Sequence, residues 1–334
     1  MKQFLLLLTF FYTIIVNAQL TGLTITGNPE STLGATWTYQ NTVNGVVYDL
    51  QGRLYKPIGT GIFPSIIVNH GTGGNINGYS KNASQEMVTW GFVCITTNYT
   101  HSSGVTCGSP GDCVEAEYGA SANNFLRALK CWEILASLTY TDINCISTFG
   151  HSRGAFLTLG LAGSYPNKFK CAGHTAGGIG HPTDLSYATY AMANAVQHPY
   201  IIYHGEADVI VLPQYDLNFK NVLIANNITY EYYTYPTLTH SQMALDDLMF
   251  NRTKTFFQTY GVYSPLSIDE NLLEKNQIKI FPNPCSNYFQ LNNTEKNHIE
   301  IYNQLRQIIL EKTIAPNEKI VISDFQNGVY FIKI

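Results

Sequence analysis

The sequence has few charged residues for its length and no concentrated basic run. Of its 334 residues, 13% are charged, whereas an ordinary globular domain has about 25%. The 19 basic and 23 acidic residues give a net charge of −4. This low charge, with 45% hydrophobic residues, excludes a disordered chain or a charged tail. The lack of a basic face excludes a nucleic-acid partner, because phosphate binding requires one.

Motifs that hold metals or phosphates are also missing. The seven cysteines form no C-x-x-C pair and the pattern G-x-x-x-x-G-K-[ST] does not occur, so we predict no metal and no cofactor. Cys107 and Cys113 flank a turn-rich segment, which makes them candidates for a disulfide in an oxidising compartment. Cys94, Cys145 and Cys171 stand in apolar runs, and we predict that they are small buried residues.

Long hydrophobic runs are absent except near the N terminus. Lys2 precedes an apolar run at residues 4–16, and the small residues Val16 and Ala18 precede Gln19. A basic start, an apolar run of this length and small residues before a cleavage point are typical of a secretory signal peptide. The run is shorter than the roughly 20 residues that span a bilayer. We therefore predict a signal peptide at residues 1–18 and export of the chain.

Segments of strand and helix character alternate through the middle of the chain. The predicted strands cover residues 46–55, 64–69, 92–97, 144–149, 168–174, 199–205 and 228–235. The predicted helices cover residues 84–90, 115–137, 155–164, 184–196, 213–225 and 242–260. This alternation predicts an α/β fold, a mostly parallel sheet with helices on both faces. Ligands bind such sheets beyond the carboxyl ends of the strands, so residues that follow each strand are the candidates for chemistry.

The alternation of strand and helix stops near residue 264. Residues 265–276 are a polar segment, and the residues after it have short strand-like runs without a long helix. We predict a first domain at residues 19–264, a linker at residues 265–276 and a small all-β sandwich at residues 277–334.

A nucleophile motif follows the predicted strand at residues 144–149. Gly150, His151, Ser152, Arg153 and Gly154 come next, and then an apolar helix begins. A G-x-S-x-G sequence between a strand and a helix predicts a serine on a strained turn with its hydroxyl exposed. Side chains at the two glycine positions would collide with neighbouring backbone. Ser152 is therefore the predicted nucleophile.

A serine nucleophile needs a base and a carboxylate that orients the base. Asp208 follows the predicted strand at residues 199–205, and His240 follows the last predicted strand. Ser152, Asp208 and His240 stand in the nucleophile–acid–base order that accompanies this strand–turn–helix motif. Glu206 is the competing acid, but Asp208 stands farther beyond its strand, where the loop can turn back toward the base.

A glycine-rich turn follows the predicted strand at residues 64–69. Backbone N–H groups of such a turn can point at a developing oxyanion, and the N–H groups of Thr72 and Arg153 are the predicted oxyanion hole. The alternative is a turn that only reverses the chain. The predicted supporting turn residues are His70, Gly71, Gly150 and Gly154. Other histidines at strand ends are predicted to pack or hydrogen-bond only, namely His151, His174 and His204.

Together these motifs resemble the α/β-hydrolase superfamily over roughly residues 40–262, and within it the dienelactone hydrolase, chlorophyllase and polyesterase-like serine esterases. The resemblance implies hydrolysis of carboxylic esters through an acyl-enzyme intermediate. It implies a monomer whose substrate is an ester, with a bulky or polymeric ester left open. Two alternatives remain, a surface-displayed binding protein with an inactive hydrolase fold and a serine peptidase of the same fold.

The C-terminal residues resemble the type A sorting domain of type IX secretion substrates. The segments that carry the resemblance are IFPNP at residues 280–284 and NGVYFIKI at residues 327–334. The resemblance implies that the type IX machinery is a partner and that the protein passes through the periplasm and outer membrane to the medium or the cell surface. A β-sandwich that binds carbohydrate is the alternative.

Overall fold

The structure is a computed structural model, and it describes residues 20–103, 117–262, 280–293, 295–303, 307–326 and 328–334. The predicted signal peptide, the predicted linker and the candidate disulfide pair Cys107 and Cys113 lie outside these residues. Cys94, Cys145 and Cys171 are buried, as predicted. The chain separates into two compact units, Met1–Ser264 and Pro265–Ile334, and each is described by itself.

A nine-stranded sheet forms the centre of the larger unit. The strands are β1 (Leu23–Thr26), β2 (Ala35–Val43), β3 (Val46–Tyr55), β4 (Phe63–Asn69), β5 (Val93–Thr97), β6 (Thr141–His151), β7 (Ala172–Thr175), β8 (Tyr200–Gly205) and β9 (Tyr230–Tyr235). Their order across the sheet is β1-β2-β3-β5-β4-β6-β7-β8-β9. Strands β4 to β9 pair in parallel, and β1 to β3 are antiparallel. The prediction of a mostly parallel α/β sheet is therefore confirmed.

Helices cover both faces of this sheet. They are α1 (Tyr79–Val88), α2 (Ala122–Ser137), α3 (Arg153–Ser164), α4 (Tyr190–Asn194), α5 (Pro213–Ala225), α6 (His240–Met243) and α7 (Asp247–Tyr260). Side chains of α2, α3 and α5 join one apolar core, and side chains of α1 and α7 join the other. Successive strand residues point to opposite faces, so in β4 Ile67 belongs to the first core, whereas Ile66 and Val68 belong to the second. None of the described helices is long and apolar enough to cross a membrane.

Capping side chains decide where several helices begin. The Ser121 side chain accepts a hydrogen bond from the Asn124 N–H, so α2 begins after Ser121. The helix predicted at residues 242–260 is divided because the Asp246 side chain caps α7. The strand predicted at residues 168–174 begins later, at Ala172, because its first residue ends the short 3-10 helix Pro166–Lys168.

The smaller unit consists of two three-stranded antiparallel sheets. Its strands are β10 (Ile280–Phe281), β11 (Tyr288–Leu291), β12 (Asn297–Tyr302), β13 (Ile308–Ile314), β14 (Ile320–Val321) and β15 (Phe331–Lys333). The sheet orders are β10-β11-β14 and β13-β12-β15. Both sheets contribute to one small core, which includes Leu291, Ile301 and Ile320. The prediction of a C-terminal all-β domain is confirmed.

Candidate active site

Ser152 stands at a sharp turn between β6 and α3. Its φ of 57° lies in the left-handed region, which residues other than glycine rarely adopt. A Cβ added at Gly150 would lie 2.2 Å from the carbonyl oxygen of Gly154, and one added at Gly154 would lie 2.2 Å from that of Asn69. Only glycine at these positions lets the turn pack against itself and against β4. The turn also makes Ser152 the N-cap of α3, where the helix dipole favours negative charge.

The three predicted residues form a hydrogen-bonded line. His240 Nε2 lies 2.9 Å from Ser152 Oγ, and His240 Nδ1 lies 2.7 Å from Asp208 Oδ2. Asp208 stands in the loop after β8, and His240 is the first residue of α6. Thr239 and Gln242 form a capping box around the start of α6, which fixes the backbone of His240. The carboxyl ends of the parallel strands thus bring distant parts of the chain to one point.

Asp208 is buried, and its carboxylate is well supplied with donors. The N–H groups of Ile210 and Val211 each lie 2.9 Å from Oδ1. Burial would raise the pKa of Asp208, but hydrogen bonds from His204, His240 and Val211 outweigh burial and hold the pKa well below its usual range. The carboxylate is therefore charged at neutral pH and can orient an imidazole.

Glu206, the competing acid, has a different environment. Its side chain is exposed, and its carboxylate accepts a hydrogen bond of 2.7 Å from the Thr234 hydroxyl. Asp208, by contrast, is in direct contact with His240. The geometry therefore favours Asp208 as the carboxylate that orients His240.

His151, next to Ser152 in the sequence, packs against the ring of His240. The two ring centroids lie 4.8 Å apart, and His151 Nδ1 lies 2.8 Å from the Thr175 hydroxyl. Burial, aided by the nearby His240, lowers the pKa of His151 to about 3. His151 is therefore neutral at pH 7 and packs against His240 without adding a positive charge.

The glycine-rich turn after β4 lies directly against Ser152. A Cβ added at Gly71 would lie 2.9 Å from Ser152 Cβ, so the backbone of the turn approaches the serine closely. Thr72 and Arg153 both line the cleft into which Ser152 opens. Their role as oxyanion donors remains a prediction.

A network of buried, hydrogen-bonded side chains packs against this turn. His70 Nδ1 lies 2.9 Å from the Gly71 carbonyl oxygen, and His101 Nε2 lies 2.9 Å from that of His70. Tyr99 donates its hydroxyl to Asn69 Oδ1 at 2.5 Å. Burial lowers the pKa of His70 to about 4 and that of His101 to about 3, so both rings are neutral. Sequence reasoning missed His101 and Tyr99, because they belong to no motif and reach the turn only in the folded chain.

The cleft at Ser152 has a volume of about 560 Å³. The rings of Phe156 and Tyr187 stack at 3.7 Å and line it, as do the apolar Ile210 and Val211. Tyr79 adds a further ring beside the nucleophile. The cleft therefore offers aromatic and aliphatic walls to a bound group.

In the smaller unit, the described residues bring three potential metal ligands together at one place. These are His298, Glu300 and Glu311 of the smaller unit. The Lys333 ammonium lies 2.9 Å from the Glu300 carboxylate, so this carboxylate already has a cationic partner.

Comparison with known proteins agrees with the fold. Residues 124–259 match the family model described as phospholipase/carboxylesterase. Residues 279–334 match the secretion system C-terminal sorting domain. Among curated proteins, none matches this sequence.

Similar solved structures include both peptidases and esterases. The Porphyromonas gingivalis dipeptidyl peptidase 4 is 18% identical with a TM-score of 0.52, and the match covers 64% of this chain and 34% of that one. The Pyrococcus horikoshii acylaminoacyl peptidase is 18% identical with a TM-score of 0.56, and the match covers 68% and 42%. Acetyl xylan esterase 1 from Thermoanaerobacterium is 15% identical with a TM-score of 0.55, and the match covers 72% and 88%. The chain thus spans well under half the length of these peptidases.

The sheet order and these matches show that the larger unit has the α/β-hydrolase fold. The smaller unit is a C-terminal sorting domain of the type IX secretion system, as the sequence predicts. The protein is therefore a secreted or cell-surface α/β-hydrolase-fold protein.

Proposed function

We propose that the protein is a serine hydrolase that cleaves carboxylic esters outside the outer membrane. The observation that carries this proposal is the hydrogen-bonded line from Ser152 Oγ through His240 to Asp208, at a strained turn that opens into a cleft. The coverage of the similar structures supports an esterase over a peptidase. This chain matches 94% of a cold-adapted esterase from an Arctic metagenomic library and 88% of an acetyl xylan esterase.

The proposed reaction has two stages. Ser152 Oγ attacks the ester carbonyl carbon while His240 Nε2 takes the hydroxyl proton, and Asp208 stabilises the imidazolium that forms. The N–H groups of Thr72 and Arg153 hold the oxyanion of the tetrahedral intermediate. The intermediate collapses when His240 donates the proton to the departing alcohol, which leaves an acyl-enzyme. A water molecule, deprotonated by His240, then attacks the acyl carbonyl carbon. The bond between this carbon and Ser152 Oγ breaks, His240 returns the proton to Oγ, and the acid is released.

The lining of the cleft indicates which esters to test first. Phe156 and Tyr187 present aromatic surface, and Ile210 and Val211 present aliphatic surface. Burial of apolar area contributes about 25 cal/mol per Å², so an ester with an aliphatic or aromatic arm should bind better than a fully polar one. We propose that 4-nitrophenyl butyrate is cleaved with a higher kcat/KM than 4-nitrophenyl acetate.

A fluorophosphonate probe tests the proposal without knowledge of the natural ester. The wild type should be labelled at Ser152, and Ser152→Ala should not be labelled. Ser241→Ala is the matched control, because Ser241 is exposed and lines the same cleft, and it should be labelled like the wild type. An unlabelled wild type would support the inactive binding protein.

A matched ester and amide pair separates an esterase from a peptidase. An acylated amino acid is presented as its 4-nitrophenyl ester and as its 4-nitroanilide. We expect turnover of the ester and little or none of the anilide. An anilide whose kcat/KM equals that of the ester would support the serine peptidase instead.

A further inference from the structure

A second carboxylate–histidine group lies behind the proposed catalytic acid. Asp216, on α5, is fully buried. Its Oδ1 lies 2.7 Å from His174 Nε2, and its Oδ2 lies 2.6 Å from His204 Nδ1. The Gly177 N–H also donates to Oδ2 at 3.1 Å. His204, at the end of β8, stands four residues before Asp208.

Both ring nitrogens of His204 face hydrogen-bond acceptors. Nδ1 faces the Asp216 carboxylate, and Nε2 lies 2.8 Å from the Val211 carbonyl oxygen. A carbonyl oxygen and an ionised carboxylate can only accept, so each ring nitrogen must carry a hydrogen. The geometry therefore requires an imidazolium at His204, provided that Asp216 is ionised.

The electrostatics of the pair agree with that charge state. Burial would raise the pKa of Asp216, but its pairing with His174 and His204 holds the pKa well below the usual range. Burial would lower the pKa of His204, but its hydrogen bonds to Asp208 and Asp216 outweigh burial and raise the pKa to about 10. A buried imidazolium between two buried carboxylates is thus the stable form at neutral pH.

His204 and Asp208 both hydrogen-bond to the backbone of Val211, in the loop after β8. The Val211 carbonyl oxygen accepts from His204 Nε2, while the Val211 N–H donates to Asp208 Oδ1 at 2.9 Å. His204 Nε2 also lies 3.5 Å from Asp208 Oδ2, the oxygen that His240 contacts. Val211 is one of the residues that line the cleft, so the same contacts fix Asp208 and part of the cleft wall.

We propose that His204 is a positioning residue, an imidazolium held by Asp216 that keeps Asp208 and its loop in the geometry that orients His240. This role rests on the proposed function, since it acts through the base of that reaction. When His240 is neutral, one imidazolium lies between two carboxylates. When His240 takes the proton of Ser152, the hydrogen bonds of His204 and Val211 keep Asp208 in place beside the imidazolium that forms. The titratable groups that face His204 directly, or through Asp208 or Asp216, are Asp208, Asp216, His151, His174, His240, Tyr187, Tyr200 and Tyr232.

Asp216→Asn is the sharpest test, because it keeps a hydrogen-bonding side chain of the same shape and removes the charge. Without the Asp216 carboxylate, the pKa of His204 should fall below the value of about 10 that it has with both carboxylates, so that the ring is protonated at pH 6 and neutral at pH 9. The rate of fluorophosphonate labelling of Ser152 should then match the wild type closely at pH 6. At pH 9 the labelling rate of the variant should be about tenfold lower than that of the wild type. A tenfold ratio corresponds to an interaction that shifts a pKa by about one unit. In ester turnover the loss should appear in kcat and not in KM.

Glu206→Gln is the matched control, since it removes an exposed carboxylate from the same loop, and its pH profile should follow the wild type. A folded Asp216→Asn variant with a lower melting temperature but the wild-type pH profile would overturn the proposal, because a structural role alone would do the same.

A measurement on the unmodified protein covers the case in which the variant does not fold. With ¹⁵N-labelled histidine, wild-type NMR spectra should retain an imidazolium signal at pH 8.5, and His204→Gln should remove it. The absence of any imidazolium signal at pH 8.5 would overturn the proposal. The two proposals can fail separately. A wild type that the fluorophosphonate does not label would contradict the proposed esterase, whereas the NMR spectra would still report whether His204 is charged.

Discussion

At the scale of single residues, the proposed chemistry depends most directly on Ser152. Ser152→Ala removes Oγ, and alanine has to adopt the same φ of 57°, so the turn should be about as strained as before. We expect kcat for a 4-nitrophenyl ester to fall about 10⁴- to 10⁶-fold with an almost unchanged melting temperature. Steady-state kinetics and circular dichroism measure the two effects. Activity within tenfold of the wild type would contradict the assignment of the nucleophile.

The acid can be tested by comparing two carboxylates in one loop. Asp208→Asn should lower kcat about 10⁴-fold, because an amide facing His240 Nδ1 no longer holds the imidazole in the tautomer that accepts the serine proton. Glu206→Gln should leave kcat within about twofold, since exposed substitutions away from such contacts have small effects. The reverse ranking in steady-state kinetics would assign the acid to Glu206.

Ser152, Asp208 and His240 could be predicted from the sequence, because each of them follows the end of a strand. The same reasoning could not assign a role to Asp216. This residue lies on helix α5, and its partners His174 and His204 lie on β7 and β8 and share no sequence motif with it. A signal was nevertheless present. Asp216, Phe219 and Leu223 are all buried on α5, and their spacing places them on one helix face, so an acid on an apolar face indicates a buried partner.

At the scale of secondary-structure elements, the turn between β6 and α3 is the most tightly constrained. A Cβ at position 154 would meet the backbone of Asn69 at 2.2 Å, and backbone cannot move aside as a flexible side chain can. Gly154→Ala should therefore lower the free energy of unfolding by more than about 3 kcal/mol, the range of backbone and packing defects. Gly45→Ala provides a contrast, since its Cβ would have open space but its φ of 81° is left-handed, and it should cost about 1 kcal/mol. Equal losses in urea unfolding would contradict the crowding argument.

The elements themselves differ in how far sequence could define them. The bounds of β3 and α5 agree with the predicted ones, because a polar turn precedes β3 and Pro213 begins α5. Strand β2 was missed although its buried residues alternate with exposed ones, a weaker signal than the continuous apolar runs of buried parallel strands. Helix α4 is much shorter than predicted because Thr189 caps it only at Tyr190.

At the scale of the whole molecule, buried histidines make stability depend on pH. His70, His101 and His151 have pKa values lowered to about 4, 3 and 3, chiefly by burial, whereas an unfolded histidine titrates near 6.5. Below about pH 6.5 the unfolded chain therefore binds more protons than the folded chain. The free energy of unfolding should fall between about pH 6.5 and 4, by up to about 1.4 kcal/mol per pH unit for each histidine.

His204 should contribute in the opposite sense. Its pKa is raised to about 10 in the folded state, so its contribution is complete below about pH 6.5 and is lost as the pH rises toward 10. Urea unfolding from pH 4 to pH 10 should thus show a maximum near neutral pH. On the acid side, His101→Gln should reduce the slope of the unfolding free energy against pH by the contribution of about one bound proton. His298→Gln should leave this slope unchanged, because His298 is exposed. An acid slope that His101→Gln leaves unchanged would contradict a neutral buried His101.

The two compact units should divide catalysis and export between them. Ser152, Asp208 and His240 all lie in the unit Met1–Ser264, and the match to the sorting domain lies in Pro265–Ile334. A purified chain that ends at Ser267 should keep kcat/KM for a small soluble ester within about threefold, less than the tenfold that about 1.4 kcal/mol of transition-state stabilisation represents. In a host with a type IX system, the same chain should accumulate in the periplasm.

A fusion provides the matched control for that truncation. Residues 265–334 placed behind an unrelated periplasmic reporter should carry the reporter to the medium or the cell surface, because residues 279–334 match the sorting domain and this unit has a hydrophobic core of its own. Cell fractionation and ester turnover measure the two functions separately. If the truncated chain still reaches the medium, or loses activity only on an insoluble polymer, residues 265–334 bind substrate and the division of roles is wrong.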